Sequence, residues 1–279
     1  MPKKYKVSKK QEVHKLYKGE VELKFDPVSH RYTVNGVQKY GVTGILNIIG
    51  KPWLMYWAVN KTLEYIEDNW DIRKSYDEIQ KDEMLANAKK NHRRFAGDAA
   101  QIGTKVHEWI EMYINGQLGK GKESPMPKNE NILLAVNNFL KWVSENDIEW
   151  HDSERKVYSR KYDFAGTIDA IATVNGKATA IDFKTSTGIY DEMFLQSAAY
   201  AMALKEELGS KFEELWIVRV SKTGKEFEAK KSEKIDEHFK TFLCCLGVYR
   251  WQNNRRNEKA RATKREKVKS KTIKDTRKK

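Results

Sequence analysis

The dipeptide Asn175-Gly176, set between two alternating runs, constrains this chain more than any other feature. Both positions of a two-residue type I′ turn need φ > 0, which Asn and Gly tolerate best. With that turn Val174 faces Lys177, Asp169 lies opposite Asp182, and Thr167 opposite Lys184. Side chains alternate along a strand. One face therefore reads Thr173/Ala178, Ile171/Ala180, Asp169/Asp182 and Thr167/Lys184. The other reads Ala172/Thr179, Ala170/Ile181 and Ile168/Phe183, mostly apolar and suited to a core. A longer turn would shift the register and undo the pairing.

Two carboxylates directly opposite in a sheet stand roughly 4.5–5.5 Å apart at Cβ. They repel by about 3 kcal/mol at an effective dielectric near ~20. A hard divalent cation takes oxygen ligands and offsets the repulsion. Lys184, on the same face, adds a fixed positive charge, and together these groups suit a metal and a phosphate. Standing alone, an Asp-x-Lys tripeptide reads as a surface pair screened by a lysine. The apolar strand interiors favour the site, because charges beside central strands are uncommon.

Around this hairpin the chain alternates between strand and helix periods. Val21 to Val42 is strand-like, with a second Asn-Gly turn at Asn35-Gly36. Thr43 to Leu46 opens a short apolar helix or turn, and Pro52 fits the first turn of another helix. Residues 53–117 read as mostly helical, ending in a helix from about Ala99 to Ile114 with Ile102, Val106, Ile110 and Tyr113 on one face. A helix over Asn131–Ser144 offers Leu134, Phe139 and Trp142 for burial. Strands are expected at Arg155–Ser159, Thr167–Val174, Ala178–Lys184 and Leu215–Val220, and helices at Asp191–Leu208 and Ser232–Trp251. Trp53, Trp57 and Trp70 are expected in core packing rather than against bases, and Cys244 and Cys245 as small buried residues.

Charge divides the chain. Its net charge is +14, but residues 255–279 hold 13 Lys+Arg against 3 Asp+Glu, a net +10, leaving +4 for the rest. A balance of this sign favours polyanionic partners. Residues 1–20 read as a basic, flexible N-terminus, 21–252 as the folded domain, and 253–279 as a basic tail, disordered alone or a partly helical arm. Two adjacent cysteines exclude a disulfide framework, a zinc ribbon and a four-cysteine iron–sulfur cluster. No apolar run approaches the ~20 residues of a membrane span, and the N-terminus lacks an apolar signal region. A reducing, cytoplasmic setting is expected. His107-Glu108 is followed by Glu111, not by a second histidine, which excludes zinc-protease chemistry.

Four segments then occur in order: Gly103-Thr104-Lys105-Val106-His107-Glu108, Gly166-Thr167-Ile168-Asp169, Ile181-Asp182-Phe183-Lys184-Thr185 and Gln196-Ser197-Ala198-Ala199-Tyr200. Together they resemble the PD-(D/E)XK nuclease superfamily in its RecB-like and phage-type exonuclease branch. Arg31-Tyr32-Thr33-Val34 followed by Gly41-Val42-Thr43 is similar to the start of phage members. The resemblance implies an α/β fold like that of restriction endonucleases: a mixed central sheet flanked by helices, a catalytic core over about 99–221, an N-terminal β-hairpin and a helical insert.

It also implies a DNA nuclease using Mg²⁺ or Mn²⁺, an exonuclease in recombination, repair or phage replication, with a structure-specific endonuclease or a silent DNA-binding module as alternatives. Asp169, Asp182 and the Phe183 carbonyl would hold the metal, joined by His107. Lys184 would position the attacking water and stabilise charge on the phosphate. Gln196 and Tyr200, one helical turn apart, would touch DNA or order the lysine, and Thr104 and Thr185 would contact DNA. Glu154 is a further candidate metal ligand. Lys89, Lys90, Arg93 and Arg94 form a basic run, either a solvated face or a phosphate-tracking groove. The implied partners are DNA and a recombination or single-strand-binding protein, in a bacterial or phage-infected cell, with no membrane.

Overall fold

A computed structural model of the chain describes residues 11–122, 124–223 and 226–276. Its centre is one mixed sheet. An N-terminal meander supplies β1 (Glu12–Leu16), β2 (Val21–Asp26), β3 (Arg31–Val34) and β4 (Val37–Gly41). The remaining strands are β5 (Ile148–Ser159), β6 (Phe164–Val174), β7 (Lys177–Lys184), β8 (Glu214–Arg219) and β9 (Glu228–Ser232). The nine strands run in the order β1-β2-β3-β4-β6-β7-β8-β9, with β5 paired to β6 off this path. β4 is parallel to β6 and β7 to β8, and the other pairs are antiparallel.

Both Asn-Gly turns form as expected, with φ of 48° and 81° at Asn35 and Gly36 and of 50° and 80° at Asn175 and Gly176. The second sets the register from Val174↔Lys177 to Ala170↔Ile181. There the ladder stops, one pair short of Asp169 and Asp182. Beyond it β7 stays with β8, through Asp182↔Ile217, Phe183↔Val218 and Lys184↔Arg219. The sheet thus forks at the two aspartates, and the direct cross-strand pairing expected for them is not made.

Helices cover both faces. On one lie α1 (Val42–Leu46), α5 (Asp191–Leu208) and α6 (Ile235–Thr276), burying Phe164, Ile168, Ala180, Leu215 and Ile217 with Phe239 and Phe242. On the other, α3 (Glu78–Gln117) and α4 (Glu130–Ser144) lay Val106, Ile110, Phe139 and Trp142 on Ala170, Ala172, Ile181 and Phe183. Each large side chain buried this fully contributes about 1.5–3 kcal/mol. Ile168 therefore packs on the opposite face from Ala170, against the expected alternation. The period of two breaks at Asp169, where the facing β5 residue, Glu154, has φ of 51°.

Other expectations are corrected. Residues 1–10 of the basic N-terminus lie outside the described residues, but Glu12–Leu16 pairs with β2 and buries Leu16. The helix expected from Ala99 begins at Glu78, where Asp77 and Gln80 form a reciprocal capping box. α6, expected to end near Trp251, continues to Thr276 through the tail expected to be disordered or a partly helical arm; residues 277–279 lie outside the described residues. α2 (Pro52–Asn69) packs chiefly on α3 and buries none of its residues, so Trp53 and Trp70 are exposed rather than in the core. Cys244 is exposed and Cys245 half-buried, because their stretch of α6 meets the core through Phe242 and Leu246 instead. β9 had no counterpart in the sequence pattern, since its Glu-Ala-Lys-Lys-Ser carries no apolar alternation.

Candidate active site

The fork leaves the Phe183 amide without a ladder partner on β6, and the Asp169 carboxylate fills the gap. Phe183 N–H donates to Asp169 Oδ2 at 2.8 Å. This fixes one Asp169 oxygen at the split, where α3 delivers His107 from above, its Nδ1 3.6 Å from the same oxygen. β5 delivers Glu154 from the other side. One ligand atom each from His107, Glu154 and Asp169 lie within 4.8 Å of one another, the one group among the described residues able to hold a metal ion.

Crowding shows in the proton affinities. Burial, then Asp169, raises the Glu154 carboxyl to about 8 against the pull of Lys156, with Glu111 adding to the rise. His107 is lowered, chiefly by burial and also by Lys184, while Asp169 and a hydrogen bond to the Phe183 backbone act the other way. A neutral imidazole beside carboxylates that resist sharing charge is a donor set a cation would satisfy.

Lys184 stands at the carboxyl end of β7, beside this group. Its Nζ lies 2.6 Å from Asp182 Oδ2 and donates to Gln196 Oε1 at 3.3 Å. Burial opposes its charge, but Asp182 and Asp169 outweigh it and hold the ammonium above its ordinary range. Burial pushes Asp182 up to about 7 despite Lys184. Asp182 thus anchors the lysine and stays outside the His107–Glu154–Asp169 group. Gln196 is oriented in turn: its Nε2 donates to Tyr200 Oη at 2.9 Å and to Thr43 Oγ1 at 3.2 Å. Its carbonyl is thereby left to face Lys184.

Two glycines of the motif segments allow the close approaches. A Cβ on Gly166 would meet Tyr200 Cε1 at 2.2 Å, and one on Gly103 would meet Thr185 Oγ1 at 2.9 Å. Thr185 therefore sits against α3 next to the site. Thr104 is exposed and spends its hydroxyl on the Ala100 carbonyl. Lys89, Lys90, Arg93 and Arg94 are exposed on α3, and at 1.5 Å per residue they lie about 20–27 Å along the helix from His107. They are not part of the site's centre.

The structure adds residues that sequence reasoning passed over. Tyr32, from the meander, shares a hydrogen bond of 2.9 Å with Thr167 Oγ1, and Thr43 supports Gln196. Both lie in segments noted for their strand and turn pattern and for their likeness to the start of phage members, neither of which assigned them a role or hinted at where 130 or more intervening residues bring them. Glu111 was legible: it is one turn from His107, so the two share a helix face. Lys156, buried, lies 3.5 Å from Glu154 Oε2 and from Glu12 Oε2.

No family model matches the sequence, and no curated protein matches it. Among solved structures the chain is similar to an alkaline exonuclease, LHK-Exo, from Laribacter hongkongensis: 10% identity, 54% of this chain and 84% of that chain covered, TM-score 0.26. It is also similar to SSO0001: 17% identity, 43% and 56% covered, TM-score 0.24. At these scores neither likeness carries weight for function. Among the described residues no helix is long and apolar enough to cross a membrane.

Proposed function

We propose that this chain is a divalent-metal-dependent nuclease that hydrolyses DNA phosphodiester bonds, acting from ends as an exonuclease. The observation that supports it is the convergence of His107, Glu154 and Asp169 beside a lysine held by Asp182 and Gln196. One imidazole and two carboxylates fit Mg²⁺ or Mn²⁺, the imidazole suiting Mn²⁺ better. When bound, such an ion stabilises charge on phosphoryl oxygen and acidifies water.

The protein's own groups have distinct tasks. His107, Glu154 and Asp169 would hold the ion, and the Phe183 amide keeps Asp169 in place. Lys184, charged at neutral pH, faces the phosphate, stabilises the negative charge that grows as water attacks phosphorus, and orients that water. The P–O bond to the leaving nucleotide then breaks. Gln196, Tyr200 and Thr43 keep the Lys184 side chain aimed, and Thr185 lines the approach. The exposed cations of α3 and the basic end of α6 supply non-specific, salt-sensitive affinity for the backbone.

Digestion of end-labelled linear DNA, closed circular DNA and RNA of equal length, with Mg²⁺, Mn²⁺ or a chelator, tests this reading. Loss of linear DNA alone, and only with metal, is the expected result. Cutting of circles would replace exonuclease with endonuclease, and binding without cleavage under every condition would leave a DNA-holding module.

A further inference from the structure

Glu154 sits in a backbone conformation that a glutamate does not favour. β5 pairs with β6 on either side of it, through Ser153↔Ala170 and Arg155↔Ile168. Between those pairs Glu154 takes φ of 51°, in the left-handed region that a residue with a Cβ adopts only at a cost. Two side chains of β5 serve the carbonyls at this break. Ser153 Oγ donates to the Asp169 carbonyl at 3.3 Å, and Lys156 Nζ donates to the Glu154 carbonyl at 3.2 Å. The same ammonium lies 3.5 Å from Glu154 Oε2, so it holds Glu154 by main chain and side chain together. Lys156 is 6% exposed, and a lysine is buried this far only when it is paired. Its other partners come from the N-terminal meander. Glu12 Oε2 of β1 lies 3.5 Å from Nζ, and the Phe25 ring of β2 has its centroid 4.9 Å away. Across the ladder Lys156 pairs with Thr167, which shares its hydrogen bond with Tyr32 of β3.

We infer, resting on the reading of His107, Glu154 and Asp169 as a metal-holding group, that Lys156 is a positioning residue for Glu154 and that the meander belongs to the site because it holds Lys156. Lys156 has no task in the hydrolysis itself, where Lys184 faces the phosphate. What it supplies is geometry. Without its ammonium the Glu154 carbonyl loses this donor, and the left-handed turn loses the contact that spans it. β5 would then relax toward extended backbone, where successive side chains alternate between faces. That relaxation would carry the carboxylate away from His107 and Asp169. Charge alone predicts the opposite outcome. A cation beside a metal ligand repels an incoming divalent ion, so removing it without moving Glu154 would tighten metal binding. The direction of the change therefore separates positioning from charge.

Calorimetric titration of the full chain with Mn²⁺, in the absence of DNA, tests it. Lys156→Met keeps an unbranched chain that packs on Phe25 but carries no charge. It should weaken Mn²⁺ binding about tenfold or more, as removal of a group that orients a metal ligand does. Phe25→Leu removes the ring beside the ammonium without changing any charge, and should weaken binding about threefold. It carries the test if Lys156→Met loses its far-UV circular dichroism. In a Glu154→Gln background Lys156→Met should add little, because the ligand it places is already gone. Binding that is unchanged or tighter in Lys156→Met, or unchanged in Phe25→Leu, would overturn the assignment. So would an equal loss in the Glu154→Gln background, which would mark general damage to the fold. A wild type that binds no Mn²⁺ would remove the metal group itself, and the role of Lys156 with it.

Discussion

Asp169 meets demands from three directions: the Phe183 amide, the His107 ring and the carboxylates Glu154 and Asp182. The first is structural and an asparagine could meet it. The others serve charge. Asp169→Asn should therefore abolish metal binding in calorimetry, yet melt in chelator at pH 8 as high as the wild type or a few degrees higher, since it removes repulsion of roughly 1 kcal/mol or more. The raised carboxyls give a pH dependence of definite sign. Glu154 rises from 4.5 to about 8 and Asp182 from 3.8 to about 7, so the folded protein binds more protons than the unfolded chain between those limits. These two carboxyls therefore contribute stability to the metal-free protein that is complete below about pH 4 and is lost as pH rises toward 8, while the lowered His107 contributes with the opposite sign below its ordinary 6.5. Mn²⁺ should recover it at the alkaline end, because the ion binds the deprotonated ligands. Melting curves across this range with and without Mn²⁺ check both statements. A pH dependence of the metal-free melting temperature that is unchanged by Glu154→Gln would contradict the burial of this acid.

At the scale of elements, the site depends on two close approaches at glycines, one far tighter than the other. Gly166→Ala puts a methyl 2.2 Å from the Tyr200 ring and forces strand or helix to move, at a cost of about 1–3 kcal/mol. Gly103→Ala meets only a threonine hydroxyl and gains about 1 kcal/mol of helix propensity, so its melting temperature should change little. Thermal melts of both rank the contacts, and equal losses would show that Thr185 is not free to turn. How much was legible follows from the same elements. The hairpin was readable because Asn175-Gly176 sets its register and period two sets its faces. Its failure came one residue beyond the last ladder pair, where the fork makes Asp169 bind a backbone amide instead of facing Asp182. That choice depends on β8 drawing β7 away, a tertiary event with no local signature. Glu154 was expected at the start of its strand as a candidate metal ligand, and the structure places it mid-strand, between the Ser153↔Ala170 and Arg155↔Ile168 pairs, with a carboxylate oxygen near His107 and Asp169.

For the whole molecule, the sequence's uneven charge becomes a spatial division. The N-terminal meander gathers Leu23 and Phe25 with Tyr158 of β5 and Ala165 of β6, and sends Tyr32 to Thr167. α2 packs chiefly on α3 and leaves Tyr56, Val59 and Leu63 exposed. Trp53 and Trp70 defeated the expectation of core burial because hydrophobic composition does not say which helix is left without a sheet beneath it. The basic end of α6 continues beyond the packed residues Phe239, Phe242 and Leu246. Removing residues 255–279, which carry a net +10, should weaken DNA binding at low salt. It should also reduce the slope of log K against log salt by about 0.9 for each phosphate that the tail no longer neutralises. Filter binding at several salt concentrations measures it, and an unchanged slope would assign the basic end to something other than DNA.

The central claim is that the group around Asp169 and Lys184 cuts a phosphodiester backbone, and a single paired measurement reaches it most directly. Cleavage and binding of the same end-labelled linear DNA would be followed with Mn²⁺ for the wild type and for Lys184→Ala. The prediction is cleavage by the wild type that stops in chelator, and a loss of about 10²–10³-fold or more in Lys184→Ala, as for removal of one charge-stabilising donor, with binding kept. Equal cleavage by the two proteins, or none by the wild type despite tight binding, would contradict it.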